Sequence, residues 1–571
     1  MTYQAPVADI QFTLTHVIGA SALAETERFA EATEDMSEAI LTEAAKLTES
    51  VLAPLQRPGD LHPARLENGV VRCSPGYAQG YQAIAEGGWV GINADPDFGG
   101  MGLPMTLTTA VGEMMNSACL SLALNPLMTQ GQIEALEAHA SDEIKALYLP
   151  KLITGEWTGT MNLTEPQAGS DVGALTTKAV PNSDGTYAIS GQKIYISWGD
   201  HDLAENICHL VLARLPGAPM GTKGISLFIV PKYLPDGDGK PGVTNRLNPV
   251  SLEHKMGLGG SPTAVMAFNN ATGWMIGAEN TGMAAMFTMM NNARLGVGTQ
   301  GVGVAEAAYQ HALAYAMDRK QGRSPIKGGT GTIMDHADVR RMLMTMKALT
   351  RSARAICYDC AYSLDMAKAT GDAAWTARAA FLTPIAKAFG TDVGSEVSDL
   401  GIQVHGGMGF IEETGAAQFA RDVRVTRIYE GTNGIQAMDM VGRKLADGGT
   451  AAEALLDEIE ATAVTARDAH PLLADALQDA GECLAETTRW MVEQELNDRF
   501  AGAANYLRAF ALTLGGHYLM KASLAAPGDT ARLALAQFHL RQLVPQVTAL
   551  ALSAQEGAEP LYALSVRDFA Q

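Results

Sequence analysis

The hydrophobic period changes twice along this chain, and those changes constrain the fold more than any other feature. From Thr33, Met36, Ile40, Ala44, Leu47 and Val51 recur at helical spacing until Pro54, and helical patterns follow over 80–86, 107–117 and 133–147. From 159 to about 277 the apolar residues come in short β-rich runs instead. Runs 187–190 and 193–198 follow the Asp184-Gly185 turn, and runs 207–212, 225–230 and 264–268 come later. Helical pattern returns near Met283 and holds to Leu445, and a last helical block from Ala451 carries Leu455, Ile459 and Val464. Short strands with no long helices between them predict an antiparallel sheet or small barrel, not a parallel nucleotide-binding sheet. The expected architecture is mainly α with a central β domain. It divides into a lead-in (1–32), a helical domain (33–157), a β-rich domain (158–277), a helical bundle (278–445) and an appended helical domain (446–571). The lead-in has no clear period and is expected to strap onto the body or to trail from it.

Composition narrows the function. With 571 residues and 47% apolar content the chain can bury several cores. Its 41 basic and 62 acidic residues give a net charge of -21, which argues against nucleic acid or an anionic membrane as the main partner. Six scattered cysteines fit a reducing compartment. Asp9, Glu25 and Glu27 fall where a signal segment would be apolar, and no apolar run is long enough to span a bilayer, so the expected location is cytoplasmic.

Some motifs carry less than their letters suggest. Gly296-Val-Gly298-Thr-Gln-Gly301 matches a dinucleotide fingerprint, but it sits in a helical pattern with no strand before it; small residues that let a neighbouring helix approach are the better reading. Cys357 and Cys360 have redox spacing without a second pair and read as core, as does the methionine-rich run 283–290; no metal site is expected. Two stretches hold more. In the loop-like 161–171, Thr164 and Ser170 offer hydroxyls and Gly169 allows close backbone approach to a ligand. In 421–436, Glu430 lies between Tyr429 and Gly431, where a desolvated carboxylate could reach the pKa of a general base; a surface Glu in a helix-to-helix turn fits the same letters.

Taken together, Ile428-Tyr-Glu-Gly-Thr432 after Arg421-Asp422, the upstream Gln403-Val-His-Gly-Gly-Met-Gly409, and the 161–171 loop resemble the acyl-CoA dehydrogenase family, in the family's order from Thr33 to Gln436. The glycine-dense 88–102 stretch and Lys255-Met256-Gly257 with Ser261-Pro262-Thr263 resemble its architectural turns. The resemblance implies FAD as cofactor and Glu430 as the base that removes the α-proton of an acyl-CoA. It implies Met161, Leu163 and Thr164 against the flavin ring, with Ser170 at the diphosphate and at the edge of the CoA channel. Tyr195 and Ser197 stand where the family usually has Trp and Thr, and Thr432 would be a further flavin contact. Arg294 would line the acyl-CoA site, although Asn291 stands where an acid is usual; a helix arginine paired with a neighbour is the other reading. Arg319, within 318–323 and without the aromatic residue that often follows, would reach the flavin of a neighbouring subunit. Gln403, Gly406 and Gly407 would carry its adenosine end across a homodimer interface. His336 would lie near the same nucleotide or cap a helix.

The lead-in and C-terminal block are similar to one branch of the family, which acts on 3-(methylthio)propanoyl-CoA in dimethylsulfoniopropionate degradation and passes electrons to an electron-transfer flavoprotein. An acyl-CoA oxidase, with the same base and oxygen as acceptor, remains compatible with these residues. A DNA-binding relative of the family would need a basic surface, against which the net charge and the acidic run of Glu453, Asp457, Glu458 and Glu460 count.

Overall fold

The computed structural model describes residues 3–570. The lead-in is strapped down. Helix α1 (Val7–Phe12) buries Ile10, and Asp9 on it pairs with Arg351 at 2.8 Å, Arg354 at 3.0 Å and Arg532 at 3.3 Å. Burial alone would raise the pKa of Asp9; the three guanidiniums more than reverse it. Helix α2 (Glu34–Leu47) begins where Thr33 Oγ1 accepts the Met36 N–H at 3.3 Å, with Glu34 and Asp35 favouring the helix N-terminus. Pro54 does not stop this run. It falls in the first turn of a short 3₁₀ segment, where it removes no hydrogen bond, and the chain continues into α3 (Gln56–Leu61).

A small hairpin, β1 (Arg65–Glu67) with β2 (Val70–Arg72), precedes α4 (Tyr77–Glu86). The stretch α5 (Met105–His139) is two helices joined at a kink, where Cys119 takes an extended backbone (φ −157°, ψ 85°); the second continues through Pro126, and Ser141 then caps a further helix, α6 (Asp142–Ile153). The patterns at 107–117 and 133–147 do fall on different helices, on either side of the break at Cys119, but the second pattern runs across the Ser141 cap from one helix into the next. The part of α5 after the break is buried on nearly every face, so it lacks the polar stripe from which a helical period is read.

The central domain is one sheet of seven strands: β3 (Trp157–Asn162), β4 (Lys178–Pro181), β5 (Tyr187–Ser197), β6 (Asn206–Ala213), β7 (Ser226–Pro231), β10 (Leu247–Leu252) and β11 (Thr263–Ile276). Strands β8 (Tyr233–Pro235) and β9 (Pro241–Thr244) form a side hairpin. The order is β3-β6-β7-β11-β5-β4, with β10 beside β11. The two runs at 187–198 are a single strand, paired antiparallel with β11. All pairs are antiparallel except β3 with β6, where Trp157 lies opposite Asn206; more than forty residues of intervening chain (163–205) permit that crossover. A bridge between Lys178 and Arg214 brings the far end of the sheet back to β6, giving it the character of a small barrel around Ile189, Val211, Phe228 and Phe268. The sheet seats on α5: Thr129 Oγ1 accepts the Gly159 N–H at 3.0 Å, and a Cβ on Gly159 would lie 2.1 Å from Gln132 Oε1.

The bundle consists of α7 (Gly282–Asp318), α8 (Ala337–Thr370), α9 (Ala373–His405), α10 (Ala416–Val423) and α11 (Asn433–Asp439). The glycine fingerprint lies inside α7 and faces α9. A Cβ on Gly298 would stand 2.5 Å from the Ala386 carbonyl oxygen, and one on Gly301 would stand 2.1 Å from that of Gly390. Gly390 and Gly394 return the contact at 2.5 and 2.8 Å from the carbonyls of Gly298 and Gly301, so the two backbones touch. Behind them Arg354 of α8 is 1% exposed and is held by Glu113 at 2.6 Å and Glu306 at 2.8 Å.

The C-terminal helices α12 (Thr450–Ala466), α13 (Pro471–Glu493), α14 (Leu496–Ala525), α15 (Thr530–Phe538) and α16 (Gln546–Ala554) share the bundle's main core. A Cβ on Gly515 of α14 would lie 2.7 Å from Ser352 of α8, and Arg508 of α14 pairs with Glu396 of α9 at 2.8 Å. Placing a methyl group at the α7–α9 contact forces two helix backbones apart. Gly301→Ala is therefore expected to cost about 1–3 kcal/mol or more; a thermal unfolding midpoint equal to that of the unaltered protein would contradict this packing.

Candidate active site

Glu430 sits on a strained reversal between α10 and α11. Its φ is 56° and that of Gly431 is 82°, two consecutive left-handed residues, of which only the glycine is free of the Cβ penalty of about 1–2 kcal/mol. Three contacts hold the reversal. Tyr429 donates its hydroxyl to Gln300 Oε1 on α7. Gln436 Nε2 donates to the Glu430 carbonyl at 3.1 Å. Thr432 caps α11, its Oγ1 accepting the Ile435 N–H at 3.3 Å. The Glu430 N–H makes no hydrogen bond within the described residues.

Burial pushes the Glu430 carboxyl up to about 7, against the opposing charges of Arg294 and Lys387. Neither cation forms an ion pair with it among the described residues. Arg294 of α7 is buried, with one guanidinium nitrogen 3.7 Å from Asp439 and its Nε unpartnered. It is at once the paired helix arginine and a wall of a cavity of about 450 Å³, shared with Asn291, Asn292, Glu134, Asp439 and Lys444. Burial pushes Glu134 on that wall up to about 7 as well.

The 161–171 loop leaves the end of β3. Met161 and Thr164 are half-buried, Leu163 is buried and Ser170 is exposed. A buried ion pair fixes the loop: Lys193 Nζ donates to Glu165 Oε1 and to the Leu163 carbonyl, both at 2.9 Å, and the Ile194 N–H donates to the Thr164 carbonyl at 2.9 Å. Glu165 also accepts the N–H and hydroxyl of both Thr176 and Thr177. Although burial opposes ionisation, Lys193 and these donors hold the Glu165 pKa down at about 2. Two residues along β5 from Lys193, Tyr195 is 61% exposed with φ 59°, and Ser197 is half-buried opposite Thr263.

A third group lies at the opposite end of α7. Helices α7 and α9 run in the same direction, and their ends meet where Tyr315 stacks on His405 at 4.4 Å between ring centres. Arg319 ends α7 as an exposed residue, its carbonyl accepting the Ile333 N–H at 2.8 Å. Gln403, Gly406 and Gly407 are exposed at the end of α9, with open space where a Cβ would project from either glycine. Phe410 beside them is 88% exposed. His336 precedes α8 and its Nε2 donates to the Gln321 carbonyl at 2.8 Å, a loop staple. The structure thus gathers Glu430, Arg294 and Thr432 at one end of the bundle, and Arg319, Gln403, Gly406 and Gly407 at the other.

Sequence reasoning missed Lys387, Gln300 and Gln436. Lys387 left a signal: a single lysine among apolar and small residues over 384–390 has no solvent face to occupy. It also read Arg421 and Asp422 only as a lead into the Glu430 turn. They clamp domains together: Arg421 grips Asp60 on α3 with two contacts of 2.7 Å, and Asp422 accepts the Leu258 N–H at the end of the β-rich region at 2.6 Å. Cys357 and Cys360 are buried, and no metal-binding cluster is present among the described residues. No helix among them is long and apolar enough to cross a membrane.

Comparison with known proteins identifies the fold and the family. Models of the acyl-CoA dehydrogenase N-terminal, middle and C-terminal domains match residues 34–156, 160–271 and 280–445. A model described as acetyl-CoA dehydrogenase C-terminal like matches 455–565. The chain is 46% identical to the 3-methylmercaptopropionyl-CoA dehydrogenase of Ruegeria pomeroyi over 94% of both chains. A solved structure of Caenorhabditis elegans ACDH-11 in complex with C11-CoA superposes with a TM-score of 0.82 at 19% identity, covering 99% of this chain and 96% of that one. A Bacillus anthracis acyl-CoA dehydrogenase complexed with FAD superposes with a TM-score of 0.73 at 21% identity, covering 95% and 91%. From its motifs, its fold and these likenesses, the chain belongs to the acyl-CoA dehydrogenase family of oxidoreductases.

Proposed function

We propose that this chain catalyses the FAD-dependent α,β-dehydrogenation of an acyl-CoA thioester to the 2-enoyl-CoA, with 3-methylmercaptopropionyl-CoA (3-(methylthio)propanoyl-CoA) or a similarly short acyl-CoA as substrate. One observation carries the chemistry: a carboxylate pushed up to about 7 on a strained turn, facing two cations that it does not pair with. The substrate reading rests on the likeness to the Ruegeria pomeroyi enzyme over nearly all of both chains.

An α-proton of a thioester is too weakly acidic for a solvated carboxylate. It comes within reach when the base is desolvated and the thioester oxygen meets preorganised donors. Glu430 supplies the first condition, and its unengaged N–H is a donor for the second. Arg294 and Asn291 border the cavity offered to the acyl-CoA, and Ser170, outside that lining, is assigned to the CoA channel on the family resemblance.

The residues present fit FAD. The loop bearing Met161, Leu163 and Thr164 has its carbonyls fixed by Lys193 and Ile194, Tyr195 presents an exposed aromatic face with Ser197 along the same strand, and Thr432 keeps its hydroxyl hydrogen free to donate. FAD, when bound, supplies two-electron acceptance, and an electron-transfer flavoprotein is the proposed acceptor beyond it.

Arg319 lies 25 residues along α7 from Arg294, roughly 37 Å at 1.5 Å per residue. One dinucleotide does not readily reach both ends. Arg319, Gln403, Gly406 and Gly407 are therefore assigned to the FAD of a second copy in a homodimer, on the surface where Phe410 is also exposed.

Anaerobic titration with acyl-CoAs of graded length tests the reading: the flavin absorbance should bleach, fastest with the short methylthio ester. Glu430→Gln should keep FAD yet lose roughly 10²–10⁴-fold in turnover, since an amide cannot take the proton; near-normal turnover would exclude Glu430 as the base. In the unaltered enzyme kcat/KM should rise with pH and level off only above about 7, instead of near the ordinary 4.5 of a glutamate. The sign for stability is opposite. Because the folded pKa is raised, the contribution of Glu430 favours folding below about 4.5 and is lost as pH rises through about 7, so Glu430→Gln should be the more heat-stable protein at pH 8. Light scattering should report a dimer; a monomer with full FAD occupancy would overturn the assignment across an interface.

A further inference from the structure

Lys387 is fully buried in α9 and is not part of the chemistry described above. Its Nζ donates to the Gly431 carbonyl at 2.8 Å and to Asn433 Oδ1 at 2.9 Å. Asn433 is itself anchored, with Nδ2 donating to the Ala388 carbonyl at 3.1 Å, Thr391 Oγ1 at 3.0 Å and Asp392 Oδ1 at 2.9 Å. Arg427 pairs with the same Asp392 oxygen at 2.6 Å. The ammonium therefore grips the residue that follows Glu430, while Gln436 grips the carbonyl of Glu430 itself.

Left-handed backbone at a glutamate persists only where its surroundings hold it. Here two side-chain donors clasp the successive carbonyls of Glu430 and Gly431. A neutral hydrogen-bond donor at position 387 could clasp as well, but a lysine adds charge. The charged groups around the carboxylate are Arg294 from α7 and Lys387 from α9, with Asp439 beside Arg294 and Asp392 and Arg427 beside Lys387. Arg294 shares its charge with Asp439, whereas Lys387 spends its hydrogen bonds on neutral oxygens and has no carboxylate in ion-pair contact among the described residues.

We propose that Lys387 is a positioning residue for the general base: its buried ammonium fixes the Glu430–Gly431 turn through Gly431 and Asn433, and its charge favours the ionised form of the Glu430 carboxylate that accepts the substrate α-proton. This rests on Glu430 being the base. It goes further in assigning the state of that base to a residue outside the 421–436 motif. Burial pushes the pKa of Lys387 down to about 7 while Glu430 and Asp392 oppose the shift, as expected of two groups that stabilise each other's charged forms.

The test compares Lys387→Gln, Lys387→Arg and Glu430→Gln with the unaltered flavoprotein, reading FAD content from absorbance, kcat, and the acid limb of the kcat/KM profile. With the cation removed, Lys387→Gln should retain FAD, lose roughly tenfold or more in kcat through misplacement of the base, and move its acid limb upward by about one pH unit or more. Lys387→Arg, which keeps the charge, should return the limb to its original position. Should Lys387→Gln not yield folded flavoprotein, Asn433→Ala takes its place; it frees one hydrogen bond of the ammonium without removing its charge, and should lower kcat severalfold with the limb unmoved. A folded Lys387→Gln with kcat and limb both unchanged overturns the proposal. So does a fall in kcat with an unmoved limb that Lys387→Arg does not rescue, which marks a purely structural lysine, and so does an Asn433→Ala enzyme with normal kcat. If Glu430→Gln is active, the reading of the base itself fails, whatever Lys387 does.

Discussion

The contact on which the rest of this structure depends is the backbone-to-backbone meeting of α7 and α9. Gly298 and Gly301 on one helix, and Gly390 and Gly394 on the other, remove every side chain from the line of contact. The helices therefore approach more closely than the usual 8–10 Å set by packed side chains. Everything placed near Glu430 from the bundle is measured from that line. Arg294 lies one turn before Gly298, Lys387 lies directly against it, and Gln300 is the residue before Gly301. A shift of one helix by the width of a methyl group would move Arg294 and Lys387 relative to each other, and the Glu430 turn is bonded to both helices through Tyr429 and Gly431. The letters of a dinucleotide fingerprint thus do a different job here, which their setting inside a helix already indicated.

A second constraint is the number of charges the core encloses. Arg354, Glu113, Glu306 and Asp9 form one cluster with Tyr358, and Lys193 with Glu165 another. Buried pairs of this kind contribute little net stability against a well-packed apolar alternative, and leaving one partner alone is costly, so what they confer is a single allowed arrangement. In the first cluster that arrangement joins the lead-in, α5, α7 and α8, while Arg532, which also pairs with Asp9, ties in the C-terminal helices. In the second it fixes the loop after β3 to β5. Both join segments distant in sequence, and each does so at a place where a displaced backbone would strand an ion.

What the sequence reveals and what it hides divides along physical lines. Periodicity located the helical blocks where helices such as α2, α8 and α13 keep one wet face, while the β-rich block was legible from its short apolar runs between turns, β6 and β7 being buried on both faces. Periodicity located the first half of α5 up to the break at Cys119 but not the extent of the second half, whose faces are nearly all buried, so the run at 133–147 crossed the Ser141 cap unnoticed. It also left 187–190 and 193–198 as two runs, although β5 continues through Gly191 and Gln192 as one strand. The parallel pairing of β3 with β6 depends on contacts forty-odd residues apart, and nothing local encodes it. At the site, Glu430, Thr432 and Arg294 were named from their motifs and stand close together in the fold. Lys387 and Gln436 were not, because their role exists only once α9 and α11 have been brought to the turn.

The two glutamates of the site region show how one residue type acquires opposite properties. Glu165 is buried and Glu430 half-buried, and both have a lysine near them. Lys193 touches Glu165 at 2.9 Å, and four further donors from Thr176 and Thr177 complete its shell; the carboxylate falls to about 2 and becomes a fixed anion, useful for holding a loop and useless as a base. Lys387 aims its hydrogen bonds at Gly431 and Asn433 instead, and Arg294 lies 3.7 Å from Asp439, so Glu430 feels both charges without being satisfied by either. Desolvation then outweighs attraction, and the pKa settles at about 7. A cation bonded directly to Glu430 would lower its proton affinity and occupy the lone pair that a substrate proton needs, while no cation at all would leave it protonated at neutral pH. Charge held close but bonded elsewhere is the arrangement that leaves a half-buried carboxylate with a proton affinity matched to neutral pH.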